Sequence, residues 1–81
     1  MDVEVKLPDL GEDAGDEATV TFFFVEVGDQ IKEGADLVEM ATDKASFNVP
    51  CPVSGKVKKL VAAPDGIVEV GGVLAIVETS G

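Results

Sequence analysis

The sequence predicts an all-β domain of about eight short strands related by a pseudo-twofold repeat. Three observations lead there. Apolar residues come in short runs with a period of two, turn residues punctuate those runs at sandwich-like spacing, and the two halves of the chain align on one another.

The chain has 81 residues and 46% hydrophobic composition, which fits a single domain over residues 1–81 near the lower size limit for independent folding. A domain of this size leaves no room for a large internal cavity. No apolar stretch approaches the roughly 20 residues of a membrane span. The opening Met1-Asp2-Val3-Glu4 lacks the basic residues of a targeting signal, so a soluble chain without a leader is expected. Sixteen acidic residues against six lysines give a net charge of −10. That charge repels nucleic acid and anionic membranes, and neither is expected as a partner. There is no histidine and one cysteine, Cys51. The commonest general base, the usual zinc ligand and any internal disulfide are therefore missing, and no catalytic or metal-ligating set is expected.

The N-terminal run places Val3, Val5 and Leu7 on one face and Glu4 and Lys6 on the other, as a half-buried strand requires. The triplet Phe22-Phe23-Phe24 is read the same way. Alternation puts Phe22 and Phe24 on one face and Phe23 on the other, with at least two rings expected in the core or across its rim. Turns are expected at Gly28-Asp29, Pro64-Asp65-Gly66 and Gly71-Gly72. No helix is predicted.

The stretch from Leu37 to Pro50, LVEMATDKASFNVP, folds as a two-residue hairpin with Asp43-Lys44 as its loop. Thr42 then faces Ala45, Met40 faces Phe47 and Val38 faces Val49 on an apolar side. Ala41 with Ser46 and Glu39 with Asn48 form the other side. Moving the fold by one residue scrambles both faces. Asp-Lys is a poor turn dipeptide, so turn stability alone does not account for the lysine.

Sliding the sequence by 37 residues aligns Val20 with Val57, Ile31 with Val68, Gly34 with Gly71, Leu37 with Leu74, Met40 with Val77 and Thr42 with Thr79. A second offset, of 42, sets Val3, Val5, Leu7 and Pro8 over Ala45, Phe47, Val49 and Pro50. The counterpart of the Lys44 turn is then the pair of chain ends, and Lys44 is expected at the pole opposite the termini.

These residues resemble the lipoyl domains of 2-oxo acid dehydrogenase complexes over nearly the whole chain. The matching segments are KLPDLGE at Lys6 to Glu12, VGDQIKEGADLVEMATDKA at Val27 to Ala45, NVPCPVSGKV at Asn48 to Val57, and the GxxL pattern from Gly71 to Leu74. Asp-Lys-Ala at the tip is the specific part. The resemblance implies a flattened β-barrel, a barrel-sandwich hybrid of two four-stranded antiparallel sheets. It implies lipoic acid in amide linkage to Lys44, with Thr42, Asp43 and Ala45 helping the attaching enzyme recognise the site. It further implies that the loop Gly11 to Gly15, with Gly11, Glu12 and Asp13, is read by a decarboxylase.

The implied role is that of a non-catalytic swinging-arm carrier, part of a dihydrolipoamide acyltransferase. It would shuttle acyl groups and reducing equivalents, as in a pyruvate dehydrogenase complex. The implied partners are a lipoate ligase or lipoyl/octanoyl transferase, a thiamin-dependent 2-oxo acid decarboxylase, the acyltransferase core and dihydrolipoamide dehydrogenase. The isolated domain is expected to be monomeric, in a bacterial cytoplasm or a mitochondrial matrix. Two departures from the pattern are Cys51, where serine or alanine is frequent, and the bulky phenylalanine triplet.

Each candidate has a plainer reading. Lys44 could be an ordinary solvated turn residue, although register, repeat and tripeptide together outweigh that. The acidic stretch Glu12, Asp13, Asp16 and Glu17 lacks the ligand spacing of a calcium loop and reads as a solvated contact surface. Cys51, between two prolines and without a basic neighbour, reads as passive. The competing functions are a biotinyl carrier, whose lysine usually lies between methionines, and an unmodified interaction module.

Overall fold

A computed structural model describes residues 1–8 and 16–79. Eight strands form: β1 (Asp2–Lys6), β2 (Glu17–Phe23), β3 (Gln30–Ile31), β4 (Asp36–Ala41), β5 (Ser46–Pro50), β6 (Gly55–Leu60), β7 (Ile67–Glu69) and β8 (Val73–Glu78). They build two four-stranded antiparallel sheets, ordered β1-β8-β6-β3 and β5-β4-β2-β7, with no helix among the described residues. The all-β class and the two-sheet arrangement are as the sequence predicted.

The pseudo-twofold runs through every level. Exchanging β1 with β5, β8 with β4, β6 with β2 and β3 with β7 converts one sheet order into the other. The irregularities obey it as well. Register shifts at Thr21 in β2 and at Lys58 in β6 lie 37 residues apart, as do those at Leu37 in β4 and Leu74 in β8. A bulge opposes two residues to one. At Leu37 it lets both Leu37 and Val38 point inward, each 0% exposed, and Leu74 and Ala75 repeat the arrangement.

One offset needs correcting. Gly34 N–H donates to Cys51 O at 2.8 Å, and Gly71 N–H donates to Leu7 O at 2.9 Å. Cys51 N–H donates to Ala35 O at 2.8 Å, and Leu7 N–H donates to Gly72 O at 3.0 Å. Leu7 is thus the counterpart of Cys51, not of Val49, and β1 superposes on β5 with an offset of 44 residues, not 42.

The core lies between the sheets and includes Val5, Leu7, Val20, Leu37, Val38, Met40, Val57, Leu74 and Val77, all 2% exposed or less. Cys51 is buried with them, and its thiol donates to Val53 O at 3.0 Å. Its side chain belongs to the core cluster, while the prolines on either side are exposed.

The phenylalanine triplet departs from expectation. Only Phe23 packs against the core, while Phe22 and Phe24 stand 42% and 44% exposed. The bulge at Thr21 rephases the strand so that Val20 and Phe23 face inward opposite Met40 and Val38. The two outer rings meet edge to face, with centroids 4.8 Å apart.

The expected turns form. Gly28 (φ 97°), Asp65 (φ 67°) and Gly71 (φ 87°) supply the left-handed backbone at their tips. Equivalent bonds follow: Gly28 N–H to Val57 O at 2.8 Å and Asp65 N–H to Val20 O at 2.7 Å.

Candidate functional site: the Lys44 bend

Strands β4 and β5 pair in the predicted register: Val38 with Val49, Glu39 with Asn48, Met40 with Phe47 and Ala41 with Ser46. Val38, Met40 and Val49 are buried on one side, and Asn48 and Ser46 are exposed on the other. The register is held by burial, so the bend must fall at Asp43-Lys44.

Thr42 N–H closes the bend by donating to Ala45 O at 2.8 Å. The Thr42 hydroxyl does the rest. It accepts from Lys44 N–H and from Ala45 N–H, both at 3.2 Å, and lies 3.2 Å from Ala45 O as donor. A side-chain turn of this kind asks for no left-handed residue. Among the described non-glycine residues only Asp65 has positive φ, so Asp43 and Lys44 sit in ordinary backbone. The poor turn score of Asp-Lys is thereby explained: Thr42 supplies what the dipeptide lacks.

Asp43, Lys44 and Ala45 are exposed and Thr42 is half-buried. Among the described residues Lys44 takes part in no ion pair. Gly11, Glu12 and Asp13 lie outside the described residues. Asp16 and Glu17, which follow that segment, line an open hollow of about 500 Å3 at the foot of the bend, together with Thr19, Ala41, Thr42, Asp43 and Ile67. Sequence reading did not bring Ile67 here. The signal lies in long-range pairing of β7 with the start of β2, Ile67 with Thr19, to which local pattern is blind.

The opposite pole mirrors the site without a bend. Thr79 N–H donates to Met1 O at 2.8 Å, and the Thr79 hydroxyl donates to the same oxygen at 3.1 Å, as Thr42 does to Ala45. A smaller hollow of about 320 Å3 is lined there by Val27, Gly28, Lys56, Val57, Lys58 and Glu78. β2 starts beside the bend, Thr19 opposite Ala41, and the chain beyond it reaches Gly28, bonded to Val57 near the chain ends. Lys44 therefore stands at the pole opposite Met1 and Thr79, the arrangement the repeat predicted. The hollows arise from the repeat and differ in charge, acidic at the Lys44 pole and with two lysines at the other.

No group of acidic, cysteine or histidine side chains suited to a metal occurs among the described residues. The site has one chemical asset, an accessible primary amine on a fixed bend.

The family profile described as biotin-requiring enzyme matches residues 3–77. The chain belongs to the biotin/lipoyl attachment domain family. Among its relatives are the dihydrolipoyllysine-residue acetyltransferase component of the pyruvate dehydrogenase complex of Corynebacterium glutamicum, 39% identical over 95% of this chain and 11% of the relative. The dihydrolipoyllysine-residue succinyltransferase component of the 2-oxoglutarate dehydrogenase complex of Bartonella vinsonii is 40% identical over 96% of this chain and 19% of the relative. The chain thus spans less than a fifth of the length of these proteins. In structure it resembles the lipoyl domain of the 2-oxoglutarate dehydrogenase complex of Azotobacter vinelandii, with TM-score 0.76 at 23% identity, covering 98% of this chain and 99% of that one. It also resembles part of the urea carboxylase of Kluyveromyces lactis, with TM-score 0.80 at 19% identity over 96% of this chain and 6% of that one.

Proposed function

We propose that this domain is a lipoyl carrier whose arm is joined to the Nζ of Lys44, and that it serves the acyltransferase component of a 2-oxo acid dehydrogenase complex. One observation carries the reading: a single lysine at the apex of a bend whose position is dictated by the buried register on either side. The flanking Asp43 and Ala45, in place of the methionines of biotinyl carriers, favour lipoate over biotin, and the lipoyl-bearing relatives weigh the same way.

An exposed amine fits an amide-linked group, because nothing needs to be displaced to reach it. Amide formation at that amine requires an activated acyl group, which a ligase or transferase has to deliver. The domain contributes position. Once attached, the group supplies the acyl-transfer and redox chemistry, and the protein confines it near each active site at an effective concentration that reaches millimolar when linkers permit. The partners in this reading are a thiamin-dependent decarboxylase, the acyltransferase core and dihydrolipoamide dehydrogenase.

Mass spectrometry after incubation with lipoate ligase, ATP and lipoate tests it. The wild-type domain should gain one lipoyl group, mapped to Lys44, and Lys44→Arg should gain none. A biotin adduct in cells replete with both cofactors, or full function of the parent complex carrying Lys44→Gln, overturns the reading. Exposure of the loaded domain to each purified decarboxylase with its 2-oxo acid then names the complex.

A further inference from the structure

In a two-residue hairpin the residues flanking the loop exchange both backbone hydrogen bonds. Here Thr42 N–H makes one of them, to Ala45 O, but Ala45 N–H goes to the Thr42 hydroxyl at 3.2 Å, and Lys44 N–H goes to the same oxygen at 3.2 Å. A side chain has taken the place of a backbone acceptor, and it grips the very residue that carries the amine.

We infer that the Thr42 hydroxyl is a positioning group for Lys44, and that efficient attachment at Lys44 depends on it. The inference rests on the carrier reading given above. Its physical basis is preorganisation. A polar loop tip samples many conformations, and an enzyme that must order it on contact loses binding free energy in doing so. Three hydrogen bonds to one hydroxyl remove that freedom beforehand.

The repeat separates this role from simple fold maintenance. At the other pole the exchange is complete in the backbone: Thr79 N–H donates to Met1 O at 2.8 Å, and the Met1 ammonium donates to Thr79 O at 3.0 Å. The bonds that a threonine accepts from the N–H groups of a bend occur at Thr42, where a lysine is to be displayed. Since the hydroxyl lies near the surface, its loss leaves the core intact.

The test compares lipoate attachment by the ligase on wild type, Thr42→Ser, Thr42→Val and Thr42→Ala. Amide hydrogen exchange at Lys44 and Ala45 is followed by NMR on each. Thr42→Val and Thr42→Ala should lose about tenfold in kcat/KM, the equivalent of roughly one net hydrogen bond, carried mainly by KM. Thr42→Ser should stay within about threefold of wild type, for the hydroxyl is what counts. Exchange at both amides should quicken in the valine and alanine variants and not in the serine one. Equal attachment rates in wild type and Thr42→Val overturn the inference, as does a serine variant as slow as valine. If wild type itself takes no lipoate at Lys44, the carrier reading fails, and unchanged exchange in Thr42→Val still overturns the clasp on its own.

Discussion

Among the single residues, Lys58 shows how little a surface charge does here and how its effect is detected. Its ammonium donates to Asp2 at 2.7 Å, joining β6 to β1 across β8. The Asp2 hydrogen bond first, then the charge of Asp2, raise the Lys58 pKa above the ordinary lysine value; desolvation opposes them, and the charge of Glu78 adds the smallest upward push. A pKa raised on folding stabilises the folded state below the unfolded-chain value, and that stabilisation is lost as pH climbs through the raised one. With both side chains about half exposed, water and salt screen the pair heavily. Asp2→Asn should therefore lower the urea midpoint slightly at pH 7 in low salt. The difference from wild type should vanish in molar salt, and also at pH values above the raised lysine pKa.

At the scale of elements, the bulges at Leu37 and Leu74 decide which side chains are buried. Each places two successive residues in the core, and each leucine is 0% exposed. Leu37→Ala and Leu74→Ala should each cost about 3 kcal/mol by urea denaturation, a figure usual for buried leucines. Phe22→Ala should cost well under half as much, since that ring already stands in water. Strict alternation made the β4–β5 hairpin legible because the paired residues Val38 to Ala41 and Ser46 to Val49 obey it. The same rule separated Phe23 from Phe22 and Phe24, but the expectation that two rings reach the core failed, because a bulge at Thr21 leaves no mark in the local pattern and turns Phe23 inward instead. Thr42 was legible as a neighbour of the lysine. Its three bonds were not, since they depend on a backbone bend that sequence alone does not specify.

At the scale of the molecule, the offset of 37 residues was legible because it matches glycines, leucines and threonines of distinct kinds. The offset of 42 was attractive and wrong by two residues. A shift of two leaves inward and outward positions unchanged, so alternation has no power to choose between 42 and 44. Backbone bonds at Leu7 and Cys51 made the choice. The seam they define at the chain ends carries its own consequence. Thr42 and Ala45 are joined by two residues, and Thr79 and Met1 form the equivalent pair at the other pole. A two-residue link from Thr79 to Met1 would complete a ring with the same span that Asp43-Lys44 bridges between Thr42 and Ala45. A head-to-tail circle of this chain should hence close without distortion and resist unfolding by about 4 kcal/mol more than the linear form, on chain-entropy grounds, as read from paired denaturant titrations.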